Sequence, residues 1–223
     1  MVKLQAVLFD LDGTLLDSAH DITQGLNKML ADEGRESLTV PEVKAMIGDG
    51  AMELCRRALV KTGGCEADDL FPYVQKFIAH YRKIDPDPAQ VYEGAREFLD
   101  NCQAKGIKLG VCTNKPDEAT HAVLETLGLA KYFGFIAGGD TFMVHKPNPG
   151  HVTGVLEKLG APVEATLFLG DGPADVAACK AARVKCILMT HGYAADFEEL
   201  DADGLADNFV DVPAKLSEVG FEW

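Results

Sequence analysis

Four apolar residues, Ala6, Val7, Leu8 and Phe9, run without interruption into Asp10-Leu11-Asp12-Gly13. A continuous apolar run of this length suits a strand buried on both faces of a parallel sheet, because a half-exposed strand alternates. Asp10 and Asp12 follow just beyond it, and Gly13 lets the chain turn where a Cβ is costly. Carboxylates at the carboxyl end of a buried strand stand where open α/β sheets carry their chemistry. A divalent cation or a shared proton relieves the repulsion of such a pair. Taken alone, Asp-x-Asp-Gly is equally an ordinary strand-ending turn, since Asp and Gly are favoured there for local reasons.

Beyond Ser18 the pattern is helical up to Ile84. Asp17 and Ser18 are candidate caps for a helix with Ile22, Leu26, Met29 and Leu30 on one face. Thr39 and Glu42 have capping-box spacing for a second helix, and Gly48-Asp49-Gly50 opens a third. A fourth is expected from about Ala67 to Ile84, with Val74, Phe77 and Tyr81 on its apolar side. No strand pattern interrupts the block, so residues 17–85 read as an inserted helical bundle. Asp85-Pro86-Asp87-Pro88 is a stiff return linker. Two chain crossings, at residues 15–18 and 84–90, then form a candidate hinge.

From Tyr92 onward strands and helices alternate. Strands are expected at 107–112, 135–137, 165–169 and 185–189, with helices at 94–104, 116–127, 149–159 and 173–182. Asn208-Phe209-Val210 is a possible edge strand, followed by a last helical turn from Pro213. Such alternation predicts an α/β fold, a parallel sheet with helices on both faces. Residues 1–16 and 86–223 form that core.

The 223 residues carry 21 Lys and Arg against 35 Asp and Glu, a formal charge of −14 that opposes non-specific nucleic-acid binding. Any anionic ligand then needs a local metal, lysine or helix N-terminus. No window approaches the roughly 18 apolar residues of a membrane span. Cys55, Cys65, Cys102, Cys112, Cys179 and Cys186 show neither a C-x-x-C pair nor zinc spacing, and read as reduced thiols of a cytoplasmic protein.

Three further stretches place polar groups at strand ends or in stiff loops. Thr113-Asn114-Lys115-Pro116 puts a hydroxyl where a strand hands over to a helix, suited to an oxyanion or to a plain N-cap. His145-Lys146-Pro147-Asn148-Pro149 holds a lysine in a non-helical segment. Gly170-Asp171-Gly172-Pro173-Ala174-Asp175 again ends a buried strand, with a second acid one helical turn on. Together with Asp10-Leu11-Asp12-Gly13-Thr14, these stretches resemble, in order, the four motifs of the haloacid dehalogenase-like hydrolases, and the helical block resembles that family's inserted cap.

The resemblance implies a Rossmann-like core and hydrolysis of small phosphate monoesters through an aspartyl-phosphate. Asp10 matches the nucleophile and Asp12 the general acid and base. Thr113, Asn114 and Lys146 match the groups that bind the transferring phosphate. Mg²⁺ is implied as the cofactor, on Asp10, the backbone carbonyl of Asp12, Asp171 and the accompanying Asp175. Asp12 favours phosphate esters over halides, whose departure needs no proton. Gly48 and Gly50, before Arg56 and Arg57, resemble the glycine pair in caps of phosphoglycolate phosphatases, where free N–H groups would accept a substrate carboxylate; a plain helix breaker reads equally well. The expected partner is a small phosphorylated metabolite, 2-phosphoglycolate first, with the protein a monomer or homodimer. The alternatives are a β-phosphoglucomutase-like phosphosugar enzyme and a non-catalytic binding protein. His20, Gly172 and Arg183 depart from the family's usual residues at their positions.

Overall fold

The computed structural model describes residues 1–65 and 69–223. Val2–Lys3 (β1) leads into Ala6–Phe9 (β2), all four of whose residues are buried. Then come Ala19–Asp32 (α1), Val40–Lys44 (α2), Gly50–Lys61 (α3) and Phe71–Tyr81 (α4). The capping box of α2 is formed, with the Thr39 N–H donating to Glu42 Oε2 at 2.9 Å. The start expected at Ala67 lies outside the described residues. These helices bury a cluster of their own that includes Ile22, Leu26, Met29, Leu30, Leu54, Val74 and Phe77. Burying such a shared apolar face stabilises short helices that would be marginal alone.

The chain continues through Ala95–Ala104 (α5), Lys108–Cys112 (β3), Asp117–Thr126 (α6), Phe135–Ala137 (β4) and Pro149–Leu159 (α7). Next are Thr166–Gly170 (β5), Pro173–Ala182 (α8) and Lys185–Met189 (β6). Gly204–Ala206 (β7), Val212–Glu218 (α9) and Phe221–Glu222 (β8) finish it. The six-stranded sheet has the order β4-β3-β2-β5-β6-β7 and is parallel throughout. Helices cover both faces, over clusters centred on Phe9, Leu99 and Leu169 on one side and Leu8, Phe168 and Val155 on the other. This is the Rossmann-like α/β fold expected from the sequence.

The expected edge strand at 208–210 is a turn instead: Asn208 Oδ1 accepts the N–H groups of Val210 and Asp211. A side chain that bonds its own downstream backbone competes with the ladder, and β7 closes the edge a few residues earlier. The two-residue strands β1 and β8 pair with each other and gave no periodic signal. Arg183, where a glycine is usual, takes a left-handed backbone with φ 61° at the end of α8.

The two crossings between the sheet and the helical block lie side by side. The Asp17 N–H donates to Gln90 O at 2.8 Å and the Tyr92 N–H to Leu15 O at 3.1 Å.

Candidate active site

Strand β2 sits between β3 and β5, so the chain turns in opposite directions on its two sides. Loops leaving the carboxyl ends of these three strands bring Asp10, Thr113 and Asp171 to one crevice, the usual ligand position in such a sheet. Asp10 is 7% exposed, Asp171 5%, Asp175 2% and Lys146 1%. Carboxylate oxygens of Asp10, Asp171 and Asp175 all lie within 4.8 Å of one another.

Lys146 binds this acidic group together. Its Nζ is 3.0 Å from Asp10 Oδ2 and 2.6 Å from Asp175 Oδ1. Burial alone would lower the lysine's pKa, but Asp10 and Asp175 outweigh it and hold the ammonium charged. The other oxygen of Asp175 accepts the N–H groups of Asp171 and Gly172, each at 3.0 Å. Both Asp175 oxygens are therefore engaged within the protein, an arrangement that orients Lys146 and fixes the turn after β5.

Asp171 is held by the Tyr193 N–H, 2.7 Å from Oδ2, and by the Thr14 hydroxyl at 3.4 Å from Oδ1. The backbone crowds it: a Cβ on Gly13 would stand 2.2 Å from its Oδ2, and one on Gly192 2.2 Å from its Cβ. Desolvation, reinforced by Asp10 and Asp175, pushes the Asp171 carboxyl well above its ordinary range. Burial likewise raises Asp10 to about 6, against the pull of Lys146.

Three buried carboxylates facing one ammonium leave negative charge that a hard cation with oxygen ligands would neutralise, and the residues present fit such an ion. Asp10 and Asp171 have oxygen donors to offer it.

Asp12 turns away from that cluster. Its Oδ1 accepts the Ser18 hydroxyl at 2.5 Å, and Lys115 Nζ lies 3.0 and 3.1 Å from its two oxygens. Thr113 is buried, lines the same cavity as Asp10, and its hydroxyl accepts the Lys115 N–H at 3.3 Å. Asn114 is buried but fully committed: Nδ2 donates to Gly48 O and Lys146 O, and Oδ1 accepts the Lys146 N–H. It ties α3's approach loop to the sheet and positions Lys146. Gly48 and Gly50, with φ of 127° and 86°, shape that loop, and both line the cavity above Asp10. Arg57 is bound to Asp49 and Glu53, and Arg56 to Glu53. Cys112 is buried beside the site, with its thiol pushed up to about 12, so it is an inert core residue.

Sequence reasoning passed over Lys115 and Tyr193. Lys115 stands directly after Thr113-Asn114, a signal in plain view. Tyr193 holds Asp171 through a backbone N–H that any residue but proline supplies, so residue type carries no signal.

The haloacid dehalogenase-like hydrolase family matches residues 7–189. The chain belongs to that family. It is 42% identical over 214 residues to a phosphoglycolate phosphatase of Rhodospirillum rubrum, covering 92% of this chain and 88% of the relative. A phosphoglycolate phosphatase of Agrobacterium fabrum is 38% identical over 214 residues, with 95% and 91% covered. Among solved structures, a predicted phosphoglycolate phosphatase from Haemophilus somnus superimposes with a TM-score of 0.87 at 27% identity, covering 95% of this chain and 97% of that one. The resemblance expected from the four motifs holds along the core they span.

Proposed function

We propose that this hydrolase is an Mg²⁺-dependent phosphatase of small phosphate monoesters, with 2-phosphoglycolate as its preferred substrate. The observation that carries the reading is the meeting of Asp10 with Lys146, 3.0 Å apart, beside Asp12 and the buried Asp171. The two relatives named phosphoglycolate phosphatase support the substrate.

In this reading an Asp10 carboxylate oxygen attacks phosphorus and the bond from phosphorus to the ester oxygen breaks. Asp12 gives that oxygen its proton, and the alcohol leaves. Asp12 then takes a proton from water, whose oxygen attacks phosphorus. The bond to Asp10 breaks and inorganic phosphate departs. Lys146 and the Thr113 hydroxyl bind the transferring oxygens, and Asp175 keeps Lys146 aimed. Bound Mg²⁺, held by Asp10, Asp171 and the Asp12 carbonyl, would offset the repulsion between carboxylate and phosphate.

Residues 17–85 act as the cap and residues 1–16 and 86–223 as the catalytic core. The paired crossings at Asp17 and Gln90 serve as the hinge. Ile47, Gly48, Ala51 and Tyr81 roof the cavity above Asp10 and Asp12, which has a volume of about 50 Å³ and suits a small leaving group. A neighbouring cavity of about 460 Å³, lined by Lys44, Arg57, Asp171 and Tyr193, favours a second reading, a phosphosugar substrate.

The test is phosphate release from a panel of two- to six-carbon phosphate esters, with and without Mg²⁺. A kcat/KM highest for 2-phosphoglycolate, lost in Asp10→Asn, supports the first reading. Isomerisation of glucose 1-phosphate with a bisphosphate activator supports the second.

A further inference from the structure

Lys115 is the one buried cation near the crevice that the proposed chemistry leaves without a task. It is 7% exposed, and its ammonium sits between the Asp12 carboxylate and the Tyr81 ring of α4, 4.5 Å from the ring centroid. Among the described residues it is the only cationic side chain lining the cavity of about 50 Å³ above Asp10 and Asp12. Burying an ammonium is costly unless something recovers the loss; here the two Asp12 oxygens and the Tyr81 side chain hold it charged at the cavity wall.

The location of this charge defines a chemistry. In the proposed reaction Asp12 meets the ester oxygen, so a cation in contact with Asp12 faces the leaving group and not the phosphate. The phosphate has its own lysine, since Lys146 lies against Asp10 and Asp175. A carboxylate one methylene from the ester oxygen would fall within reach of a charge seated there.

The rest of the wall points the same way. It is formed largely by Ile22, Ile47, Leu54, Phe77 and Ile78, and the Asn114 amide is already engaged on both sides. Sugar hydroxyls packed against these apolar side chains would lose water without gaining partners there, a cost of roughly 1–3 kcal/mol for each unsatisfied group. A compact anion would meet Lys115 and, at Gly50 in the same lining, the start of α3.

We infer that Lys115 is a specificity-determining residue that binds a carboxylate on the leaving group, selecting short phosphorylated 2-hydroxy acids over neutral phosphate esters. The inference rests on the phosphatase reading and names the feature of the substrate that the cap-side cavity recognises. Tyr81 covers the ammonium, so closing α4 over the crevice strengthens the contact by excluding water.

The experiment compares 2-phosphoglycolate with ethyl phosphate, which keeps the two-carbon leaving group and lacks the carboxylate. Wild type should favour 2-phosphoglycolate in kcat/KM by on the order of a hundredfold, the scale of a desolvated charge pair. Lys115→Met disturbs Asp12 as well, so both esters should slow, and the ratio between them should collapse toward one. Lys115→Arg should restore part of the ratio. Lys215→Met, at a cation of α9 paired with Glu218 and outside both cavities, should keep the wild-type ratio.

Glycolate inhibition supplies a readout without turnover: it should be competitive in wild type and weakened at least tenfold in Lys115→Met. An unchanged ratio in Lys115→Met, or a collapse in Lys215→Met, overturns the assignment. Wild type that hydrolyses both esters equally overturns it too while leaving the phosphatase intact. Wild type that releases phosphate from neither ester overturns both readings.

Discussion

The Lys146 ammonium stands 3.0 Å from the Asp10 carboxylate, although the two residues leave different strands far apart in sequence. Asp175 holds the other side of the same ammonium at 2.6 Å, and its remaining oxygen is bound by two backbone N–H groups. Charge, position and backbone geometry are therefore coupled through one buried lysine.

That coupling predicts the behaviour of Asp175→Asn. Asparagine leaves Lys146 paired with Asp10 but replaces one of the two carboxylate oxygens that hold the ammonium and the turn after β5, a loss of about 1–3 kcal/mol. The variant should unfold at lower denaturant, and its kcat should fall by at least about tenfold because Lys146 is no longer aimed. Denaturant titration and steady-state kinetics check both effects. A stable variant with wild-type kcat would remove the positioning role.

The close packing of backbone against Asp171 predicts that small residues here are needed for metal binding. Gly13→Ala would put a Cβ 2.2 Å from Asp171 Oδ2, at a φ of 85° that side chains rarely adopt. Gly192→Ala would crowd the same side chain, with a Cβ 2.2 Å from the Asp171 Cβ. Each should weaken Mg²⁺ at least about tenfold through displacement of the ligand, by the scale seen when groups supporting metal ligands are lost. Isothermal titration measures this directly, and unchanged affinity in both would argue against Asp171 as a ligand.

The raised acid at Asp10 predicts a pH-dependent stability. Its pKa in the fold, about 6, exceeds the ordinary 3.8, so the folded state holds the proton more tightly than the unfolded chain. The stabilising contribution is complete below about 3.8 and is lost as pH rises through about 6. In the proposed reading Mg²⁺ takes the proton's place as the neutralising charge, so the rise in Tm on adding it should be small at pH 5 and large at pH 7.5. Differential scanning at both pH values, with and without Mg²⁺, tests this. An equal rise at both would contradict it.

His151 predicts the opposite dependence. It is fully buried in α7, and desolvation, assisted by the charge of Lys146, lowers its pKa to about 4. Its neutral form belongs to the fold, so its contribution is present above about 6.5 and is lost as pH falls toward 4. His151→Met should flatten that acid-side loss in metal-free protein. A melting profile that keeps the full wild-type drop between pH 6.5 and 4 would assign it to other groups.

The sequence was most legible where local pattern and long-range structure coincide. The buried run before Asp10 and the small-residue helix at 173–182 have no other stable home than a covered parallel sheet, and the structure places them there. Asn208-Phe209-Val210 misled because Phe209 is buried like a strand residue while Asn208 bonds its own turn. The catalytic crevice was readable as motifs, but its wiring was not. Asn114 looked like a ligand for phosphate and instead spends its amide on Gly48 and Lys146. Lys115 and Asp12 meet only through the turn of the sheet. Tyr193 reaches Asp171 through the backbone, where side-chain identity leaves no trace.

In the proposed mechanism the Asp10 carboxylate itself attacks phosphorus. Enzyme turning over 2-phosphoglycolate with Mg²⁺ can be quenched in acid, reduced with borohydride and mapped by peptide mass spectrometry. Conversion of an acyl phosphate to homoserine is expected at position 10, and none in Asp10→Asn. Homoserine at any other aspartate during rapid phosphate release would contradict it.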